Sequence, residues 1–144
     1  MATSNRAALK TLQSNLAAGG YFRRVVIGDP KAPPDTMTAA VYTTSVAIPG
    51  IVLQYPRLTW SVNIRVYARS LDGKEEDVEL ALDEAVQNVI EDIMGDFTLG
   101  GNVAYILPTE TTVRWGFLEV GGTWYRVVDI PLSYTIDDRA VFAA

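Results

Sequence analysis

The chain contains no cysteine and no histidine. The first absence removes disulfides, thiolate nucleophiles and thiolate metal sites, and it suits the interior of a cell without requiring it. The second removes the residue most used as general base and as transition-metal ligand, and several enzyme classes with it. No apolar run approaches the ~20 residues that span a bilayer, so no membrane-crossing helix is expected. Nucleotide loops place a glycine-rich turn with lysine and serine or threonine between strand and helix, and no such string occurs. A nucleophile elbow, glycine two residues either side of a serine, is also missing. There is no internal repeat and no low-complexity segment. Basic charge is the scarcer sign, with 12 lysines and arginines against 17 acids.

What is present is enough for one folded domain. At 144 residues and 49% hydrophobic composition, with mean hydropathy +0.12, the chain can bury a sizeable core and is not disordered as a whole. The charge is segregated. Residues 1–24 hold Arg6, Lys10, Arg23 and Arg24 with no acid, whereas ten of the 17 acids fall between Asp72 and Asp96. An acidic body does not suit nucleic-acid clamping, which needs clustered basic surface.

The stretch from Leu58 to Met94 organises the chain. Leu58, Trp60, Val62, Ile64, Val66 and Ala68 alternate with polar residues, the period of two expected of a half-buried strand with one core face and one wet face. From Lys74 to Met94, rotation by 100° per residue gathers Val78, Ala81, Leu82, Ala85, Val86, Val89 and Ile93 into one apolar arc of a helix. Glu76, Asp77, Glu79, Asp83, Glu84, Gln87, Asn88 and Glu91 fill the other side, which must meet solvent or positive charge. Leu80, Ile90 and Met94 also project from that acidic side, and they suggest a surface for self-association or a partner.

Elsewhere, Ser4 can cap a helix whose Ala8, Leu9, Leu12 and Leu16 share a side and which Gly19 and Gly20 end. Its basic, acid-free composition also resembles a transit peptide, but a docked helix fits better. Tyr21 to Ile27 reads as a strand, Gly28 to Thr38 as a proline-broken loop, and Ala39 to Val46 as a strand again. Pro49 and Gly50 form a turn pair followed by apolar Ile51, Val52, Leu53 and Tyr55. These either fold back on the core or form a protruding arm buried in a neighbouring molecule. Gly95 should end the second helix. Strands are expected at Val103 to Leu107, Thr111 to Val120 and Thr123 to Ile136, the last two joined through Gly121 and Gly122 as a tight hairpin. Val113, Trp115 and Phe117 on one strand, and Val128, Ile130, Leu132, Tyr134 and Ile136 on the other, should face the same core. Pro131 places the last strand at an edge or a bulge.

The implied architecture is one α+β domain over residues 1–144, a mostly antiparallel sheet with two helices on one face. Loops fall near 28–38 and 47–57, and a C-terminal tail at 137–144.

Little in this points to chemistry. Neighbouring carboxylates on the acidic helix diverge by about 100°, so they do not converge on a metal. Glu110, Asp129 and Arg114 could meet on the outer sheet face to hold a divalent cation, although their spacing does not demand it. Trp115, Trp124 and Tyr125 could line a small-molecule pocket. No pattern requires a cofactor or a metal.

The order of elements resembles a known family. It comprises the N-terminal helix, the loop after Gly28-Asp29-Pro30, the Trp60-Ser61-Val62 strand and the acidic helix. There follow the run Phe97-Thr98-Leu99-Gly100-Gly101-Asn102-Val103 and the hairpin entering Tyr125-Arg126-Val127-Val128. Over residues 4–136 this is similar to the tail terminator, or tail completion, proteins of long-tailed bacteriophages, and neck and connector proteins of similar size share the look. The resemblance implies a non-enzymatic virion protein, made in the host cytoplasm, that forms a hexameric ring on the head-proximal end of the tail tube. The implied partners are further copies of itself, the tail tube protein and a head-side connector or stopper. DNA would pass through the ring without specific binding, and no membrane is involved. Ring contacts are heterologous. Arg6, Lys10, Arg23 or Arg24 is therefore expected near an acid of residues 75–91, Glu84 among them, across the subunit boundary.

Overall fold

A computed structural model describes residues 4–28, 37–48, 57–69, 75–96, 98–101, 105–106 and 111–137. Its element order is α1 (Asn5–Ala18), β1 (Arg24–Ile27), β2 (Thr38–Ala47), β3 (Arg57–Arg69), α2 (Glu75–Gly95), β4 (Tyr105–Ile106), β5 (Arg114–Val120) and β6 (Thr123–Asp137). The strands form one sheet in the order β1-β2-β3-β6, with β4 and β5 both pairing the far side of β6. The sheet is thus five strands wide. All pairings are antiparallel except the parallel β1–β2 edge. This is the α+β fold that the pattern implied.

Both helices pack on one face. Ala8, Leu12 and Leu16 of α1 and Leu82, Ala85, Val86 and Val89 of α2 share a core with the alternate residues Val62, Ile64, Val66 and Ala68 of β3. Val128, Ile130, Leu132, Tyr134 and Ile136 of β6 complete its sheet side. Each valine, leucine or isoleucine among them contributes roughly 1.5–3 kcal/mol on leaving water, which makes this layer the main stabilising element. Ser4 caps α1 as expected, its Oγ accepting from the Ala7 amide at 3.1 Å.

Several expectations need correction. The first strand begins at Arg24, because Phe22 turns into the core and Tyr21 stays outside. Ala81, placed in the apolar arc, is exposed, and Val78 and Ile93 are only partly buried, so α2 buries a narrower stripe. The outer face of β3 is not simply wet: Tyr67 and Asn63 are buried there, Tyr67 in a second cluster with Ala40, Tyr125 and Val127. Among the described residues the strand expected at 103–107 contains only Tyr105–Ile106.

Gly95 ends α2 as expected, and a left-handed turn follows at Leu99, Gly100 and Gly101, which all have positive φ. Leucine tolerates φ 47° here because its side chain is 1% exposed in the core, so burial outweighs the backbone strain. Pro131, expected at an edge or a bulge, lies within a central strand. It pairs with Asn63 on β3, but on its other side it falls between Asp129, the last partner of β5, and Tyr134, the partner of Ile106 in β4. Proline is tolerated where the second ladder is interrupted.

Candidate assembly surfaces

The hairpin of β5 and β6 differs most from expectation. Trp115 and Phe117 have the parity of the helix-facing side, since they pair with Val128 and Arg126, but the helices do not reach over them. Phe117 is 65% exposed, Trp124 on the neighbouring strand 55%, and Trp115 39%. Tryptophan and phenylalanine left in water at one place are unusual for a monomer and are enriched at protein contacts. Alternation alone could not reveal this, because it shows which side a residue faces and not where the covering layer ends.

Arg126 ties this hairpin to α2. Its Nε and Nη2 donate to the Glu79 carboxylate at 3.1 and 3.3 Å, and its Nη1 donates to the Gly116 carbonyl at 3.2 Å. The guanidinium also lies 4.6 Å from the centre of the Phe117 ring. One cation therefore fixes the angle between the acidic helix and the aromatic strands. Leu80 follows Glu79 on α2 and is 60% exposed, Met94 is 62% exposed and Ile90 is exposed as well. Glu84 is exposed on the same helix.

The cations lie on the opposite flank. Arg6 and Lys10 are exposed on α1, and Arg23 and Arg24 are exposed at the start of β1, beside exposed Tyr21 and Ile27. The ion pairs of the described residues are Arg65–Asp129 and Arg126–Glu79, and none involves these four. α1 packs over the β1–β2 edge, where Gln13 Nε2 donates to the Val25 carbonyl at 2.9 Å, whereas α2 reaches the β6–β5 side through Glu79. α1 thus covers the β1–β2 edge, and α2 lies beside it over the central β3, with Glu79 directed towards the hairpin. Among the interface candidates, Ile51, Val52, Leu53 and Tyr55 lie outside the described residues, while Val46 and Ile48, at the base of that segment, are exposed.

The alternative sites are less favourable. Asp129 sits on the outer face between Arg65 on β3 and Arg114 on β5, in register with both, and Glu110 is outside the described residues. Its carboxylate accepts from Arg65 at 2.7 and 3.2 Å and from Asn63 at 3.0 Å, and Asn63 also donates to the Tyr42 hydroxyl at 2.8 Å. Burial pushes the Asp129 carboxyl up, but the hydrogen bonds from Arg65 and Asn63 outweigh it and hold the group below its usual value. The same contact raises the Arg65 guanidinium. A divalent cation here would displace an arginine and face a second one. Among the described residues no three Asp or Glu side chains group as a metal site.

Trp115, Trp124 and Tyr125 do not converge. The two tryptophans belong to the helix side, and Tyr125 packs edge-on against Tyr67 on the other, ring centres 5.9 Å apart. A groove of about 180 Å³ does exist between Met37, Ala68 and Arg69 of the sheet and Asp77, Val78 and Ala81 of α2. It is smaller than the ~300 Å³ at which ligand pockets usually begin.

The run Thr98 to Gly101 forms a turn whose purpose is structural. Asp96 accepts from the Gly100 amide and from Asn15 Nδ2 of α1, both at 3.0 Å, while Leu99 plugs the core. No protein-family model matches this chain, and no curated protein matches it either. Among the described residues no helix is long and apolar enough to cross a membrane.

Proposed function

We propose that this chain is a non-enzymatic structural protein of a bacteriophage tail, a terminator that assembles as a ring on the head-proximal end of the tail tube. In that role it ends tube polymerisation and joins the tail to a head-side connector, and DNA passes through its bore without specific binding. The observation that carries this reading is the exposure of Leu80, Met94, Phe117 and Trp124 on a subunit that already has a complete core. Apolar side chains beyond the needs of one copy require something else to cover them. The segregation of cations on α1 and β1 from acids on α2 supports a heterologous contact, in which different patches of successive copies meet. The proposed contact brings Arg6, Lys10, Arg23 or Arg24 near an acid of residues 75–91.

Electron microscopy of the protein mixed with tail tubes tests the reading. The expected result is extra ring density at one tube end and no further tube growth. Density confined to the head side of the neck would move the assignment to a connector or stopper, and no binding to either would refute it. Light scattering of the Leu80→Ser, Ile90→Ser double variant supplies a second test, with a fall in assembly size expected.

A further inference from the structure

Register across the sheet joins the two charged flanks in a single line. Val25 of β1 pairs with Ala39, Ala39 with Val66, Val66 with Val128, and Val128 with Trp115 of β5. The row crosses the whole sheet, about 19 Å at the usual strand spacing; Val25, Ala39, Val66 and Val128 pack against the helix layer, and Trp115 has the same parity beyond its reach. Its two end strands pair, among the described residues, only with β2 and with β6. At one end exposed Ile27, on the helix face, and Tyr21 lie near Arg23 and the cations of α1, while Arg24 falls on the outer face of β1. At the other, exposed Trp115, Phe117 and Trp124 stand beside Glu119 and the acids of α2. The two ends lie at the same height on opposite sides of the molecule; on the helix side they carry opposite charge, and Arg114 lies on the outer face of β5.

We propose that these two edges are the two halves of one contact between copies of this chain. The α1–β1 flank of one subunit docks on the α2–β5 flank of the next. The aromatic side chains of the hairpin form the dry centre, and the cations and acids form its rim. The inference rests on the ring reading and deepens it by naming the faces that meet. A second copy is the occupant because each edge supplies what the other lacks. Acidic and aromatic surface meets basic and apolar surface, and the offset between them runs across the sheet, as a closed head-to-tail arrangement needs. Tryptophan and arginine, both present here, are the residues that most often dominate such contacts.

The absence of native cysteine gives a background-free test. Ile27→Cys is combined in one chain with Trp115→Cys, Phe117→Cys or Glu119→Cys, and each single variant is made alongside. After mild oxidation or a short bismaleimide, at least one double variant should give covalent multimers on a denaturing gel, up to the size of the closed ring. Every single variant should remain monomeric. Dimers from the single variants would indicate a two-fold contact of like with like and overturn the proposal. If no double variant cross-links while light scattering shows the same samples assembled, the ring reading stands and this contact is wrong. A monomer in light scattering, alone and with tail tubes, refutes both.

A charge arm avoids any doubt about folding. Lys10→Glu should weaken assembly by about tenfold or more at low salt, with an unchanged circular-dichroism melt. Assembly indifferent to this change and to salt would also overturn the proposal.

Discussion

Arg65 and Asp129 face each other across the two central strands, Nε to Oδ1 at 2.7 Å and Nη2 to Oδ2 at 3.2 Å. The pair is partly open to water, so screening limits its contribution to roughly 1 kcal/mol. Because folding lowers the Asp129 pKa, this stabilisation is complete above the unfolded value near 4 and is lost as pH falls through the folded value. The melting temperature of the native chain should therefore drop on acidification below about pH 4 more steeply than that of Asp129→Asn. Melts at pH 7, 4 and 2.5 check this; parallel curves would refute it.

Tyr134 is buried among the core residues, and its hydroxyl donates to the Asn5 side chain of α1. Burial raises its pKa above the ordinary value. In the unfolded chain the phenol ionises near pH 10, whereas in the folded chain it stays neutral. Stability should thus be full below pH 10 and decline as pH rises from there towards the folded value. Tyr134→Phe should lose about 1 kcal/mol at pH 7 but show a shallower alkaline decline, as read by urea unfolding at pH 7 and 11.

Leu82 and Leu80 sit two residues apart on α2, one fully buried and the other largely exposed. Leu82→Ala should destabilise the subunit by about 2–5 kcal/mol through lost burial and a cavity. Leu80→Ser should change stability by no more than ~0.5 kcal/mol while reducing assembly. Denaturant curves paired with light scattering separate the two effects.

Asp96 holds the end of α2 to α1 through Asn15 and supports the Gly100 amide. Asp96→Ala removes both partners at once and should cost about 1–3 kcal/mol. Faster hydrogen exchange at the Gly100 and Gly101 amides would locate the loss in that turn.

The fold was legible where one rule acts alone. Alternation in β3, the wheel of α2, the Ser4 cap and the Gly121–Gly122 turn each read out directly, because periodicity and turn chemistry are local properties. Local pattern failed where coverage is set by distant elements. Ala81 and Phe117 have the spacing of buried residues and are exposed, Ala81 because it lines the open groove between α2 and the sheet and Phe117 because the helix layer ends before it reaches the hairpin. Tyr67 occupies a wet-face position in the alternation of β3, yet it packs with Tyr125 from the far part of the chain. Leu80, Ile90 and Met94 read as surface because they break the wheel. Trp115 and Trp124 read as core or pocket because they fit the strand pattern. Conformity to a pattern concealed the aromatic surface, and departure from one revealed the helical surface.

The last strand of the described residues stands in the middle of the sheet. β6 is flanked by β3 on one side and by β4 and β5 on the other, so the centre of the sheet cannot close until translation has passed residue 137. Until then β3 presents a long bare flank to any other nascent chain, an invitation to mispairing. Premature termination before Thr123 would therefore leave the three-stranded piece β1-β2-β3 with β4 and β5 each unpaired, in place of a trimmed but intact body. A chaperone that shields exposed strands during synthesis would be expected to raise the yield of folded protein.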